Sequence, residues 1–195
     1  MYNRYIMKKD TKKHFANKEK KLLSDILPFL KRSDRVLKVG NGFGYLSTYI
    51  SPHVSAIEIY ELAIFKDTIN KSNVHIYDGK KLPVDDKSFD VAIFNLVFHH
   101  IPNNMEYMKH VISKTKRSIV LQEQTYDNIF QKIQLVWRDL YINLRAGTPC
   151  KIYWRSYLKR KNVEAEFTEL GLKLAHRSTK RSHSYYKEVI VFEII

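Results

Sequence analysis

The chain has 195 residues, of which 44% are hydrophobic, and its 34 Lys and Arg against 20 Asp and Glu give a net charge of +14. It contains no apolar run of membrane-spanning length, and its single cysteine, Cys150, excludes an intrachain disulfide. We therefore expect one domain over residues 1–195 with a single core, in a reducing compartment such as the cytoplasm.

The first 33 residues form a basic lead-in to this domain. Leucine and isoleucine recur at helical spacing between Leu22 and Leu30, which predicts a helix over residues 18–29. Lysines crowd the same segment, at Lys8, Lys9, Lys12, Lys13, Lys18, Lys20 and Lys21.

A short β-branched strand then runs into three alternating glycines. Residues 35–39 predict a buried parallel strand, because valines suit a packed, pleated surface. Gly40, Gly42 and Gly44 allow backbone conformations and a close approach that a Cβ would prevent. A strand that turns on glycines into a helix directs free N–H groups at one point, where a ligand can bind.

The second predicted strand covers residues 54–60 and carries Glu58 near its end. A carboxylate at this place in a nucleotide-binding α/β unit can accept hydrogen bonds from ribose hydroxyls. The alternative is a solvated charge at the end of a strand.

The remaining elements continue the pattern of an α/β sheet. We predict strands over 73–79 and 89–95, a helix over 104–114 and a fifth strand over 118–122. Near the end of the chain, two strands joined by a short polar turn predict an antiparallel edge hairpin over 172–179 and 186–195.

These motifs, in this order, resemble the class I S-adenosylmethionine (SAM)-dependent methyltransferases. The resemblance covers residues 34–124 and is strongest to the broad type 11 branch, which contains quinone, small-molecule and tRNA wobble-uridine methyltransferases. It implies a Rossmann-like, doubly wound, mostly parallel seven-stranded α/β sheet with a C-terminal antiparallel hairpin and a helical insertion after strand five. Another α/β nucleotide-binding fold is the alternative. The motifs are the glycine loop, the acidic strand end, Asp78-Gly79, Leu82-Pro83, Ser88-Phe89-Asp90 and His99-His100-Ile101-Pro102.

The resemblance also implies SAM as the cofactor and a role for each matching residue. The glycine loop would pass beneath the methionine and ribose, and Glu58 would bind the ribose hydroxyls. Asp78, with the Gly79 backbone nearby, would accept from the adenine amino group. Asn95 and Leu96 would face the methionine end and the transferable methyl.

One position departs from the family pattern. Lys38 stands where the family usually has an acidic residue that helps to hold the amino group of the cofactor. Two like charges about 4 Å apart cost on the order of 4 kcal/mol at an effective dielectric of about 20. Lys38 would weaken cofactor binding unless it turns away or pairs with a carboxylate such as Glu123.

The segment 125–160 is the expected helical insertion over the substrate. Its apolar residues recur from Ile129 to Leu144 at the spacing of an amphipathic helix, which Gly147-Thr148-Pro149 would end. We favour core packing for this stripe, with substrate binding as the alternative. Aromatic and basic residues together can stack a planar substrate and grip phosphate, and the candidate substrate residues are Trp137, Tyr141, Tyr153, Trp154, Arg155 and Tyr157.

His99 and His100 are the candidate catalytic residues, because an acceptor that carries a proton needs a base of near-neutral pKa. Packed, hydrogen-bonded histidines are the alternative. We expect no metal site, since adjacent residues do not share a helix or strand face.

The acceptor is open between a small molecule and a nucleic acid, either RNA or DNA. The net charge favours a polyanion, although a lysine-rich composition bias explains it equally. Further basic clusters are residues 159–161 and 180–181. The alternative function is a catalytically inactive methyltransferase-like protein that binds nucleic acid or a protein partner through this basic surface. The oligomeric state is not predicted.

Overall fold

The structure is a computed structural model and describes residues 9–146, 151–182 and 184–195. Eight strands form one sheet, in which seven follow the order β3-β2-β1-β4-β5-β8-β7 and β6 pairs with β5. The strands are β1 (Arg35–Val39), β2 (Ala56–Glu61), β3 (Val74–Ile76), β4 (Phe89–Asn95), β5 (Thr115–Tyr126), β6 (Leu158–Lys159), β7 (Leu172–Ser182) and β8 (Tyr185–Ile194). The helices are α1 (Lys9–Ile26), α2 (Tyr45–Ile50), α3 (Asn104–Lys114), α4 (Ile129–Ala146) and α5 (Val163–Thr168).

The sheet is parallel from β3 to β5 and antiparallel at β8 and β7. Helices cover both of its faces. Ile26 of α1 and Leu46 of α2 pack on one face, whereas Met108 of α3 and Phe167 of α5 pack on the other. The doubly wound sheet and its C-terminal hairpin are therefore confirmed.

The sequence predicted the bounds of the central elements more accurately than the full length of β5 or the presence of the short strand β6. The bounds predicted for β1, β4 and α3 are those of the structure. β5 is longer than predicted, because it pairs with β8 through its polar residues Glu123, Gln124 and Thr125. The two-residue strand β6 is too short to carry a periodic signal.

Three features of the sequence fall outside the described residues. They are Lys8 in the basic lead-in, the stop signal Gly147-Thr148-Pro149, and Cys150. Among the residues that the structure describes, none of the helices is long and apolar enough to cross a membrane.

Candidate functional site: a glycine-loop cleft and a histidine–carboxylate cluster

The glycine loop connects β1 to α2 at the carboxyl edge of the sheet. Gly44 has φ of +85°, and a Cβ on it would lie 2.4 Å from the carbonyl oxygen of Ile69, so only glycine fits. A Cβ on Gly42 would instead meet no atom within 4 Å. The loop is thus packed on its Gly44 side and open on its Gly42 side, where a ligand has room.

Glu61, the last residue of β2, holds this loop in place. Its Oε2 accepts the backbone N–H groups of Asn41 and Gly42 at 2.6 and 3.2 Å, and its Oε1 accepts that of Leu62 at 2.8 Å. A carboxylate therefore lies at the mouth of the glycine loop, where the sequence analysis placed Glu58.

The structure does not bring Glu58 to this loop. Glu58 lies opposite Leu37 in the middle of β2, and its carboxylate pairs with Arg35, at the first residue of β1, at 3.0 Å. Glu61 lies one residue beyond Tyr60, where the sequence pattern predicts the end of the strand. The signal for this role was available in the sequence, because Glu61 is an acidic residue directly after the predicted end of the strand.

Lys38 is turned into the protein rather than towards the open side of the cleft. It is only 2% exposed, and its ammonium donates to the Gly40 carbonyl oxygen. Burial lowers the pKa of Lys38, and the charges of Glu19 and Glu61 act in the opposite direction. The partner suggested from the sequence, Glu123, contacts His99 instead.

Glu19 of α1 completes this charge-bearing group beneath the loop. Its carboxylate accepts the backbone N–H of Leu46 at 2.6 Å, at the start of α2. Burial raises the pKa of Glu19, while Lys38 and the hydrogen bond from Leu46 lower it. Lys38 of the strand and Glu19 of the helix thus influence each other's pKa, each favouring the charged form of the other.

Leu62 and Asp78 come after β2 and β3, at the same carboxyl edge of the sheet as the glycine loop. Asp78 is exposed, and its Oδ1 accepts the backbone N–H groups of Lys80 at 2.8 Å and Lys81 at 3.3 Å, which lower its pKa. Leu62 is 62% exposed, and a Cβ on Gly79 would lie 2.7 Å from its side chain. An apolar surface therefore adjoins a carboxylate, a pairing that the sequence analysis did not include.

Asn95 is the last residue of β4, the strand that pairs with β1 on the side opposite β2, and Leu96 follows it. Asn95 Oδ1 is buried without a hydrogen-bond partner. Leu96 has φ of +52°, an uncommon conformation for a residue with a side chain. It is held by a 2.9 Å hydrogen bond from its N–H to the Gln122 carbonyl oxygen. Strain and an unpaired acceptor at a cleft are typical of a ligand site.

His99 lies between two carboxylates. Its Nδ1 contacts Glu123 Oε2, and its Nε2 lies 3.0 Å from Asp139 Oδ2. Burial lowers the pKa of His99, but the charges and hydrogen bonds of Glu123 and Asp139 outweigh this and raise it to about 10. Both carboxylates therefore favour the protonated, donating form of His99, which is less suited to the role of base expected from the sequence.

His100 reaches the same Asp139. Its ring centroid lies 4.2 Å from that of His99, and its Nε2 lies 3.5 Å from Asp139 Oδ2. Burial, with the charge of His99, lowers the pKa of His100, so of the two it alone stays a candidate base. The expectation that adjacent histidines face apart was wrong, because they sit in the 3₁₀ turn Phe98–His100, where both rings turn towards α4.

Tyr157 completes the histidine–carboxylate cluster, which we define as His99, His100, Glu123, Asp139 and Tyr157. Its hydroxyl donates to Asp139 at 2.8 Å, and its ring lies 5.0 Å from that of His99. Burial and the Asp139 charge raise its pKa. Tyr157 is thus a packed, buried partner of this cluster.

The apolar stripe of α4 faces outward, so the favoured core-packing interpretation was wrong for most of it. Among the α4 side chains that the structure describes, those of Leu135 and Lys132 are buried. Trp137 and Tyr141 are 67% and 58% exposed. The other exposed apolar residues are Ile129, Phe130, Ile133, Leu140 and Leu144.

The remaining substrate candidates lie in and beside the 3₁₀ turn Trp154–Ser156. The Lys132 ammonium lies 4.8 Å from the centre of the Trp154 ring, which is 43% exposed. Arg155 is exposed and Tyr153 half-buried. An aromatic ring over a cation therefore faces solvent beside α4.

Comparison with known proteins identifies the family. Residues 11–177 match the family described as a methyltransferase domain, and the chain belongs to this family. No curated protein matches the sequence at a significant level. The resemblance stated from the motifs is confirmed.

Solved structures share the fold. A SAM-dependent methyltransferase from Aquifex aeolicus superimposes with a TM-score of 0.61 at 15% identity, covering 92% of this chain and 98% of that chain. The magnesium protoporphyrin IX methyltransferase of Synechocystis with bound SAM gives a TM-score of 0.61 at 14% identity and covers 100% and 88%. The same enzyme with bound S-adenosylhomocysteine (SAH) covers 100% and 91%, at a TM-score of 0.61 and 14% identity. The fold is that of class I SAM-dependent methyltransferases, and the cofactor expected from the sequence is the one bound in the Synechocystis structure.

Proposed function

We propose that this protein transfers a methyl group from SAM to a small-molecule or RNA acceptor. The observation that carries the proposal is the carboxylate of Glu61 beside the open face of Gly42, at the carboxyl edge of a doubly wound sheet. Open α/β sheets bind their ligands at this edge. The catalytically inactive alternative finds no support in the family match.

The residues around the glycine loop fit the three parts of this cofactor. Glu61 Oε1 accepts one backbone N–H and retains a lone pair for a ribose hydroxyl. Exposed Leu62 offers an apolar surface for adenine, and the second oxygen of Asp78 can accept from the adenine amino group. The buried, unpaired Asn95 Oδ1 can accept from the amino group of the methionine part.

Lys38 is compatible with this role. Its ammonium donates to the Gly40 carbonyl and feels the opposite charges of Glu19 and Glu61, so its positive charge is compensated beneath the loop. The usual acidic residue of the strand is replaced by a lysine, and Glu19 of α1 supplies the negative charge. We propose that this exchange preserves cofactor binding.

Methyl transfer is a direct displacement, in which the bound cofactor supplies a methyl group on a sulfonium. The protein aligns the acceptor and excludes water. Asn95 and Leu96 lie just before the 3₁₀ turn Phe98–His100 in the chain. The methionine end of the cofactor would therefore lie close to His100. Trp154, with Lys132 behind its ring, offers a surface on which a planar acceptor or an RNA base can stack.

RNA is the acceptor class to test first, because cations and exposed aromatic rings lie together beside α4. Part of the basic surface is already neutralised, since Arg160 pairs with Asp127 at 2.8 Å and Lys180 with Asp25 at 3.1 Å. Lys159 and Lys161 flank Arg160 and add to the excess of positive charge. A bulk tRNA substrate with labelled SAM tests this class directly.

The cofactor site is tested by calorimetric titration of the purified chain with SAM and with SAH. We expect binding of both in the micromolar range. Glu61→Gln should weaken it about 10- to 150-fold, the equivalent of 1.5–3 kcal/mol for hydrogen bonds to a charged group. Glu58→Gln is the matched control, three residues away on the same strand, and should bind as the wild type does. Failure of the wild type to bind either compound, or equal losses in the two variants, would overturn the proposal.

A further inference from the structure

Three side chains of the histidine–carboxylate cluster converge on one point. His99 Nε2 and His100 Nε2 lie 3.0 and 3.5 Å from Asp139 Oδ2, and the ligand atoms of all three residues lie within 4.8 Å of one another. Two ligand atoms about 2.05 Å from a tetrahedral ion are about 3.3 Å apart. The two separations from Asp139 therefore match the edges of one coordination tetrahedron.

The hydrogen bond of His100 fixes which of its nitrogens carries the proton. Its Nδ1 lies 3.0 Å from the Lys151 carbonyl oxygen, which can only accept, so the proton is on Nδ1. In neutral imidazole, Nε2 then holds a lone pair. This lone pair faces Asp139 Oδ2 at 3.5 Å, and two acceptors directed at each other repel unless a proton or a metal ion lies between them.

Both histidines also have the outer partners typical of metal ligands. A histidine that binds a metal usually donates its other ring N–H to a carboxylate or a backbone carbonyl. His99 has Glu123 at Nδ1, and His100 has the Lys151 carbonyl. Each ring is thus held with its Nε2 directed at the shared point.

Charge and access fit a divalent ion. Binding of an ion at His99 Nε2 displaces the proton from this nitrogen. The two neutral imidazoles and the carboxylates of Asp139 and Glu123 then carry two negative charges, which a divalent ion balances. The His100 and Asp139 side chains are 14% and 17% exposed, whereas those of His99 and Glu123 are 4% and 1% exposed. An ion can therefore enter from the His100 side and is held from the other.

We propose that His99, His100 and Asp139 bind a divalent metal ion of the zinc type, which imidazole and carboxylate ligands suit. Three protein ligands leave a fourth position for water or an acceptor oxygen. With the ion bound, His100 is a ligand and not a base, and activation of an acceptor hydroxyl falls to the ion. The proposal does not rest on methyl transfer, because metal content is measured without turnover.

The test is calorimetric titration of chelator-treated protein with zinc chloride, together with the visible absorption spectrum of the cobalt(II)-loaded protein. We expect one ion per chain, a Kd of about a micromolar or lower, and a cobalt spectrum of tetrahedral type. His100→Gln and Asp139→Asn should each weaken binding at least about 100-fold. The control is His53→Gln, which changes an exposed histidine in the 3₁₀ turn Ser51–His53 and should bind as the wild type does.

Two results would overturn the proposal. The first is a wild type that binds zinc only in the millimolar range, in which case a proton on His99 alone balances the carboxylates. The second is equal binding by the wild type and His100→Gln, which would place the ion elsewhere on the chain. Asp139 also accepts from Tyr157, so the folding of each variant is checked by circular dichroism, and His100→Gln is decisive if Asp139→Asn unfolds.

Discussion

The backbone N–H of Asn41 donates a 2.6 Å hydrogen bond to Glu61 Oε2, and this bond fixes the end of β2 to the glycine loop. On the opposite side, the Thr68 hydroxyl donates to the Gly42 carbonyl at 3.0 Å. The loop is therefore held between β2 and the segment that follows it. A loop fixed before the ligand arrives loses less conformational entropy on binding.

Substitutions of Gly42 and Gly44 should separate binding from stability. Both glycines have positive φ, which costs an alanine about 1–2 kcal/mol. Gly44→Ala adds a contact at 2.4 Å with the Ile69 carbonyl oxygen, whereas Gly42→Ala places its methyl in open space. We expect Gly44→Ala to lower the free energy of unfolding by about 3 kcal/mol or more. Gly42→Ala should cost about 1 kcal/mol but weaken SAH binding at least tenfold.

Urea unfolding and calorimetry with SAH measure the two effects. Gly171→Ala provides a control, because Gly171 also has positive φ and no atom lies within 4 Å of its added Cβ. It should reduce stability about as much as Gly42→Ala and leave SAH binding unchanged. Normal SAH binding by Gly42→Ala would mean that the open side of the loop is not the cofactor site.

Lys38→Met tests whether the lysine charge reaches the cofactor. An ammonium about 4 Å from the sulfonium would cost on the order of 4 kcal/mol at an effective dielectric of about 20, roughly a thousandfold in the affinity for SAM. SAH has no sulfonium and would escape this cost. Because Lys38 donates to the Gly40 carbonyl and is buried, we expect the ratio of SAM to SAH affinity to stay within about twofold of the wild-type ratio. A large gain for SAM alone in Lys38→Met would show that the charge does reach the cofactor.

The strands that the sequence predicted best are those buried on both faces. β1 and β4 are mostly apolar strands in the middle of the sheet, interrupted by Lys38 and Asp90, and their bounds follow from local composition. Which carboxylate lies at the glycine loop depends on where β2 ends, and that end is set by pairing with β1 and β3. Local pattern alone therefore predicted Glu58 at this place, three residues before Glu61.

The orientation of α4 could not be predicted from periodicity. Its apolar stripe is a correct amphipathic pattern, but the polar residues Lys132 and Asp139 face the protein. Asp139 does so because His99 and His100, from a distant part of the chain, supply its partners. A pattern of hydrophobicity cannot show that a polar face is buried against a polar cluster, so the cluster itself was also missed.

Lys18 gives the protein a predicted pH dependence of stability. Its pKa is lowered to about 8 from 10.5, first by burial and then by the charges of Lys187 and Arg138. The unfolded chain binds this proton more tightly than the native protein does. The buried charge therefore lowers the free energy of unfolding by its full amount below about pH 8, and this loss fades as the pH rises towards 10.5. Lys18→Met should therefore unfold about 3 °C or more above the wild type at pH 7, with little difference at pH 10.

Thermal unfolding followed by circular dichroism at both pH values measures this effect. Lys20→Met, an exposed neighbour on α1, is the control and should match the wild type at each pH. Other titrating groups are common to all three proteins and cancel in the comparison. A stability difference for Lys18→Met that is the same at pH 7 and pH 10 would refute the assignment.

Arg177→Met tests the ion pair that joins the two strands of the C-terminal hairpin. Glu188 is 1% exposed, and its carboxylate accepts from Arg177 Nε and Nη2 at 2.9 Å and from the hydroxyls of Thr125 and Thr179 at 2.7 and 2.8 Å. Removing only the guanidinium leaves a buried carboxylate without its counter-charge, which costs about 3–5 kcal/mol. Exposed Arg181, four residues on along β7, is the control, and Arg181→Met should change the free energy of unfolding by less than about 0.5 kcal/mol. Urea unfolding that finds equal losses in the two variants would mean that the Glu188 carboxylate is satisfied by the threonines alone.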